Sequence, residues 1–225
     1  MNEPTTPTNR LFEASLVVLL LIPIGYLAYA WSSLPSSVPL HWNAAGEADR
    51  YGDRSELLFP LALVLLLPYI TLLIAPRIDP RKKNLLSSSK AFRGARLTMA
   101  LFTCCIALVI VYSTQGHTVP PGDVIFPLCF LLLAGLGNFL PALRSNYFIG
   151  IRTPWTIESE ENWRRTHRFG ARLFFWGGLA GALIVLLIND PQHRFNFFLP
   201  TFLVIALTPV LYSCLLHHRS QRTEQ

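Results

Sequence analysis

Charged residues are scarce in this chain of 225 residues: Asp, Glu, Lys and Arg make up 14% of it, against 52% for hydrophobic residues. Soluble globular domains carry charge at nearer a quarter of their positions. The shortage is also uneven, because charge is almost missing from several long apolar runs. This composition excludes an ordinary soluble domain and predicts an integral membrane protein.

The apolar runs lack the alternation of apolar and polar residues that is typical of membrane barrel strands. Helices are therefore expected, because a backbone inside lipid must satisfy its own hydrogen bonds. A run of about twenty residues is long enough to cross the hydrocarbon core of a bilayer. Suitable runs occur at residues 11–31, 57–75, 97–112, 124–143, 173–188 and 197–216. The sequence thus predicts an all-α integral membrane protein with six transmembrane helices.

Motifs for catalysis and for cofactor binding are missing as well. The chain contains no Gly-x-Ser-x-Gly, His-Glu-x-x-His or phosphate-loop pattern. Its four cysteines all lie in apolar runs, where they are interpreted as small hydrophobic residues. No charged residue lies near the middle of a run, which argues against a proton-coupled transporter. We therefore expect no enzymatic activity, no cofactor and no metal.

Basic residues are unevenly divided between the loops. If the amino terminus is cytoplasmic, sixteen of the nineteen Lys and Arg residues lie on the cytoplasmic side and three lie outside. Membrane proteins generally carry this excess of positive charge in their cytoplasmic loops. We predict a multi-pass protein of the cell (inner, cytoplasmic) membrane with both termini cytoplasmic and with membrane lipid as a partner. The same rule explains the net charge of +6, so direct binding of nucleic acid is not expected.

The first predicted outer loop contains a polar group made of His41, Asn43, Gly46 and Asp49, to which His117 of the next outer loop could add. Three interpretations remain open for this group. It could form a structured turn, recognise an external ligand or bind a metal. The first is supported by the turn-forming residues, whereas the spacing matches no zinc or calcium pattern.

A charged segment at residues 146–170 separates the fourth and fifth runs. Thr153 and Pro154 have the chemistry of a helix start, with a capping hydroxyl followed by proline at the first helical position. Glutamates then precede arginines, with two pairs at the favourable spacing of four, Glu160–Arg164 and Glu161–Arg165. The segment is therefore predicted to be an amphipathic helix on the inner membrane surface. It could serve only as a connector, or as a docking surface for a cytosolic partner.

Aromatic and amide side chains give this region its other candidate residues. Trp155 and Trp163 are predicted to anchor the surface helix in the membrane, and His167 shares a face with Trp163. Asn138, close to Gly135 and Gly137, is expected to form an interhelical hydrogen bond, with contact to a substrate or ion as the alternative.

The two polar segments resemble two blocks of the SdpI family, which are bacterial multi-span membrane proteins named for immunity to a sporulation-delaying peptide toxin. Residues 34–56 are similar to the small domain of unknown function that often precedes the family core. Residues 137–170 are similar to the core signature. The matching positions are His41, Asn43, Gly46 and Asp49 in the first block, and Asn138, Asn146, Gly150, Arg152, Thr153, Pro154, Trp155, Trp163 and His167 in the second.

The resemblance implies a six-span membrane protein that protects against a membrane-active peptide. In the best-known case a cytosolic transcriptional repressor is also recruited to the membrane. The expected partners are therefore a secreted peptide toxin outside and a cytosolic regulator inside. A membrane transporter or channel of unknown substrate is the alternative. The chain is divided into an amino-terminal two-span region at 1–76, a linking region at 77–123 and an SdpI-like core at 124–225.

Overall fold

A computed structural model of the chain describes residues 10–116 and 120–223. Within these residues, six helices are long and apolar enough to cross a membrane, so the prediction of six spans in an all-α fold is confirmed. The long helices are α1 (Arg10–Ala30), α2 (Leu58–Ile78), α4 (Ser89–Ser113), α5 (Gly122–Phe139), α7 (Glu160–Leu187) and α8 (Pro191–Thr223). Two short helices, α3 (Lys82–Ser87) and α6 (Pro154–Glu158), lie in the connections.

The connection between α1 and α2 folds as a β-hairpin, which was not predicted. Its strands β1 (Ser37–Trp42) and β2 (Ala48–Asp53) pair antiparallel. Asp53 then starts a 3₁₀ turn over Arg54–Leu57 that leads into α2, because its carboxylate accepts hydrogen bonds from the Ser55 hydroxyl and amide. Those two bonds hold the pKa of Asp53 below its ordinary value. The hairpin is thus joined rigidly to the second span.

The helices form two groups of three. Helices α1 and α2 pack against α4, and their core also takes in Leu34, Val38 and Leu57 from the hairpin region. Helices α5 and α8 pack against α7, and Phe130, Phe174 and Val185 are buried in this second core. The contact between α4 and α5 joins the two groups.

Helix α7 approaches α5 closely because small residues line the contact. A Cβ added to Gly178 would lie 2.5 Å from the carbonyl oxygen of Phe130, and one added to Gly137 would lie 2.8 Å from the amide nitrogen of Phe175. Glycine at such positions lets helix backbones pack directly in a membrane. The second group is therefore built around one tight helix pair.

Helix α7 also corrects the prediction of a separate surface helix at the inner membrane boundary. It runs without a break from Glu160 to Leu187, so the charged turns at its start continue directly into the fifth span, which was predicted to begin at residue 173. Ser159 caps its first turn by accepting a hydrogen bond from the amide of Asn162. Since α7 contains no proline, helical hydrogen bonding continues into its apolar part.

Two ion pairs connect helices that are far apart in sequence. Arg96 of α4 binds both carboxylate oxygens of Glu13 in α1, at 2.6 and 2.8 Å. Arg194 of α8 pairs with Asp123 at the start of α5. The arginine side chains are 8% and 10% exposed, so each arginine is largely withdrawn from solvent, and its ion pair fixes one helix against another.

The loops separate into two ends, which agrees with six successive crossings. The β-hairpin meets residues 120–126 and the start of α8, and we call this the hairpin end. Residues 79–88 meet residues 144–147 at the opposite end, which we call the motif end. The hairpin end contains the predicted outer segments, and the motif end contains the predicted cytoplasmic ones.

Candidate functional site

The motif end begins with a loop that is organised by the buried side chain of Asn146. Its amide nitrogen donates to the carbonyls of Arg144 and Ile149, at 2.9 and 3.0 Å. Its amide oxygen accepts from the backbone amides of Phe148 and Ile149, at 2.9 and 2.8 Å. All of these bonds are local, so Asn146 shapes the loop and its polar atoms are already engaged.

Gly150 follows, in a backbone conformation that suits glycine alone. Its φ is +119°, and an added Cβ would lie 2.4 Å from Nε2 of His167 and 3.1 Å from the Trp163 ring. Trp163 and His167 stack on each other with ring centroids 3.9 Å apart. Gly150 therefore lets the loop backbone rest directly on this pair of rings.

His167 uses both ring nitrogens to hold backbone. The amide of Ile151 donates to Nε2 at 3.1 Å, so this nitrogen carries a lone pair. Nδ1 lies 2.9 Å from the carbonyl oxygen of Trp163, to which it must donate. The ring is thus a neutral imidazole with one fixed tautomer, buried between the loop and α7. Such a histidine braces the loop and has no free nitrogen for proton transfer.

Trp163 is buried to 1% exposure, and its indole nitrogen donates to the carbonyl of Leu143 at 2.8 Å. The prediction that it anchors the chain at the membrane surface is therefore wrong. Its ring packs beside Gly150 and on His167, which a count of aromatic residues in the sequence does not reveal.

The predicted helix start at Thr153 and Pro154 is present. Thr153 caps α6 by accepting a hydrogen bond from the amide of Thr156, and Pro154 is the first helical residue. The hydroxyl of Thr156 donates to the carbonyl of Ile151 at 2.9 Å, which closes the turn. The segment from Gly150 to α6 is consequently a compact unit held by hydrogen bonds of its own.

Ser213 of α8 receives contacts from this unit. Its hydroxyl accepts a hydrogen bond from the indole nitrogen of Trp155 at 2.6 Å and lies 3.3 Å from the hydroxyl of Thr153. Its carbonyl accepts from the side chain of Asn162 at 2.9 Å. Trp155 also stacks on His217 of α8. Trp155 is therefore tied to the last span. The sequence marks Ser213 only as one hydroxyl within an apolar run, so it was missed.

Asp79 was also missed, although it is the one acid in the predicted basic loop. It is 2% exposed and accepts from the amides of Arg81 and Tyr147, at 2.6 and 2.9 Å. Asn84 donates to the carbonyl of Ser145 at 2.7 Å. The connection after α2 is therefore hydrogen-bonded to the loop of Asn146, and these bonds join the two helix groups at this end.

Several arginines at this end point outward. Arg152 is exposed and donates to the carbonyl of Tyr147. On α7, Arg164 pairs with Glu161, which replaces the two predicted pairs at a spacing of four. Arg165, Arg168 and Arg172 are exposed and form no ion pair with a described residue. The motif end thus presents a basic surface outside its buried, hydrogen-bonded side chains.

Asn138 does not take the predicted interhelical role. It is exposed near the end of α5, and no residue of the described segments forms a hydrogen bond with its side chain. Gly137 faces α7 and Gly135 faces Thr98 of α4. Asn138, one residue beyond Gly137 along the helix, is turned away from the contact with α7.

At the hairpin end, Asn43 and Gly46 build the turn between the strands. The side-chain oxygen of Asn43 accepts from the amides of Ala45 and Glu47, each at 3.0 Å. Gly46 has a φ of +79°. His41 and Asp49 form an exposed cross-strand pair, with Nδ1 and Oδ1 2.6 Å apart. His117 lies outside the described residues, and within them no group of three or more potential metal ligands occurs.

A cavity of about 280 Å³ lies beneath the hairpin. Its walls come from hairpin residues 40–44, from residues 120–126 at the start of α5 and from the first turn of α8. Trp42 and Phe126 contribute aromatic walls, and the Asp123–Arg194 pair lies within the lining. The cavity brings together the three predicted outer segments.

Both ends can now be compared with known proteins. Residues 142–213 match the SdpI/YfhL protein family. The predicted resemblance is thereby confirmed, and the matched region runs from the loop of Asn146 through α7 to Ser213. Residues 18–68, which include the hairpin, match a domain of unknown function, DUF1648. The SdpI/YfhL match thus contains the Asn146 loop, α6 and α7, whereas the amino-terminal match contains the hairpin.

Two curated proteins are similar to the chain. Immunity protein SdpI of Bacillus subtilis (strain 168) is 23% identical over 177 residues, which are 76% of this chain and 81% of that protein. An uncharacterized protein of Archaeoglobus fulgidus is 39% identical over 72 residues, which are 32% of this chain and 39% of that protein. No solved structure matches the chain. The chain is thus a multi-pass membrane protein similar to an immunity protein.

Proposed function

We propose that the protein protects its cell against a membrane-active peptide that approaches from the hairpin end. The observation that supports this most is the similarity to Immunity protein SdpI over 76% of the chain, together with the match of residues 142–213 to the SdpI/YfhL protein family. The excess of Lys and Arg at the motif end supports a bacterial cytoplasmic membrane location in which the hairpin end faces outward.

The proposal requires binding and no chemical step. At the motif end, both nitrogens of His167 are held by backbone, and the amide of Asn146 is held in the same way. Such groups stabilise one arrangement of helices. A peptide bound at the hairpin end would favour either that arrangement of helices or a different one. It can do so only if it binds the two arrangements with unequal affinity.

The test is survival of a peptide-sensitive bacterial host that expresses the protein. Cells are exposed to a panel of secreted peptides from the source organism, with an unrelated six-span protein at equal membrane abundance as the control. We expect higher survival against at least one peptide. Equal killing in both strains by every peptide of the panel would refute the proposal.

A cytosolic regulator, such as a transcriptional repressor, is proposed as a second partner, at the motif end. The support is the exposed arginine surface on α7, whose residues Arg165, Arg168 and Arg172 form no ion pair with a described acidic residue. Such a surface suits a protein with an acidic face.

Docking of the regulator is tested with a candidate regulator whose gene lies beside the gene for this protein. Membranes are sedimented, and the amount of regulator that sediments with them is measured. A triple change of these arginines to Gln is expected to release the regulator at unchanged membrane abundance. Retention of the regulator by the triple variant would refute docking at this surface.

A further inference from the structure

The cavity beneath the hairpin has the features of a binding site for part of a ligand. Its volume of about 280 Å³ lies just below the range of roughly 300–1,000 Å³ that is typical of small-molecule pockets. One or two side chains would fill it, whereas a whole peptide would not. Leu40, Trp42, Ile110 and Phe126 make its walls largely apolar.

Charge in the lining comes from Asp123 and Arg194, and a ligand would meet mainly the acid. Arg194 is 10% exposed, and it is engaged by Asp123 and by the carbonyl of Ile188. Asp123 is 33% exposed, and no described residue bonds to its second carboxylate oxygen. The accessible part of this ion pair is therefore a carboxylate oxygen beside aromatic walls, which suits an ammonium group.

The segments around the cavity carry a net negative charge, as Asp123 does. The predicted outer segments contain six acidic residues and three arginines. Of these arginines, Arg194 is buried, Arg50 pairs with Glu56, and Arg54 donates to a carbonyl and lies over the ring of Trp31. With six acidic residues against three arginines, the net charge at the hairpin end is negative, and a cationic ligand would be attracted to it.

The turn of the hairpin closes one side of the cavity. Gly46 lies so close to Pro120 that an added Cβ would be 2.9 Å from the proline Cβ. Asn43 holds the turn in shape through its two backbone hydrogen bonds. The candidate residues of the hairpin therefore have a structural reason to be present, because they place the turn against α5.

From these features we propose that the cavity binds the amino group of an apolar peptide, either a free amino terminus or a lysine side chain, with Asp123 facing the ammonium. This deepens the proposed function and rests on it for the biological role. A zwitterionic lipid headgroup fits less well, because its phosphate needs an accessible cation. Arg194 is the one Lys or Arg among the described lining residues, and it is already engaged.

The probe is a synthetic apolar hexapeptide amide of leucine and phenylalanine with a free amino terminus, compared with its N-acetylated twin. Binding is measured to the full chain in phosphatidylcholine nanodiscs, and the signal from empty nanodiscs is subtracted. We expect the free amine to bind about tenfold more tightly than the acetylated twin. Equal affinities would overturn the proposal.

Two neighbouring alanines provide matched variants. Ala44 lines the cavity and Ala45 does not. Ala44→Phe is expected to remove binding of the amine peptide, whereas Ala45→Phe retains it. Asp123→Asn keeps an oxygen for Arg194 and is expected to remove the preference for the amine. Unchanged binding by Ala44→Phe, or displacement of the probe in phosphatidylethanolamine nanodiscs, would overturn the assignment of the cavity to a peptide.

The survival assay separates this proposal from the broader one. If wild-type protein binds the amine peptide in the cavity and protects no cells, the immunity function fails and the cavity assignment stands. If Ala44→Phe loses the amine peptide in nanodiscs and still protects cells as well as the wild type does, the assignment of the cavity to the immunity ligand fails and the immunity function stands.

Discussion

Among the residues of the motif end, Gly150 should tolerate replacement by a larger residue least well. Alanine there would have to adopt a φ of +119° and would press on Nε2 of His167. Gly116 provides a matched control, since its φ is +81° and an added Cβ would meet no described atom within 4 Å. Both changes cost backbone strain, and Gly150→Ala adds overpacking of about 1–3 kcal/mol. Unfolding in detergent should show this difference, and equal losses would contradict the packing described.

The bond between Trp155 and Ser213 is suited to a double-mutant cycle. Ser213→Ala leaves the indole N–H of Trp155 without its acceptor, which should cost about 1–3 kcal/mol. When Trp155→Phe is already present, the same change should cost about 1 kcal/mol less. Unfolding free energies of the four proteins give the coupling. Additive effects would show that the turn is not tied to α8 by this bond.

At the scale of elements, the Arg96–Glu13 pair should fix α1 against α4. Arg96→Met leaves the Glu13 carboxylate without a partner at 22% exposure, with an expected cost of about 3 kcal/mol. Arg164→Met breaks the exposed pair with Glu161 and should cost less than about 1 kcal/mol. The comparison uses thermal unfolding in detergent. Similar losses from both changes would contradict the structural role of the buried pair.

The elements also show what local sequence can predict. The six spans follow from hydropathy, and the start of α6 follows from Thr153 and Pro154, because both signals are local. The Arg96–Glu13 pair joins residues 83 positions apart, and no local pattern indicates such a contact. The burial of Trp163 was missed for a related reason, since the partner that accepts its hydrogen bond lies on another segment.

For the whole molecule, the two ends should lie on opposite sides of the membrane. After the four cysteines are replaced by alanine, single cysteines are introduced at Tyr51 on the hairpin and at Lys83 beyond α2. Both positions are exposed. A membrane-impermeant maleimide should label Tyr51→Cys in intact cells and Lys83→Cys only after permeabilisation. The reverse pattern would place the hairpin end in the cytoplasm and remove the basis for an external ligand.

The site as a whole was only partly predictable. The sequence indicates which residues of the motif stand out, but it does not show that the polar atoms of Asn146 and His167 are already satisfied by backbone. Nor does it show the cavity, because that space forms only where three separate outer segments meet. Shape and hydrogen-bond satisfaction are properties of the assembled helices, so they emerge only with the fold.

The claim that the protein protects its own cell is tested most directly by deleting its gene in the organism that carries it. The deletion strain is grown in spent medium from the parent strain, and viable cells are counted over time. We predict that the deletion strain loses viability while the parent and a strain complemented with wild-type protein survive. Equal survival of the deletion strain and the parent, in medium shown to kill a sensitive indicator strain, would contradict the account.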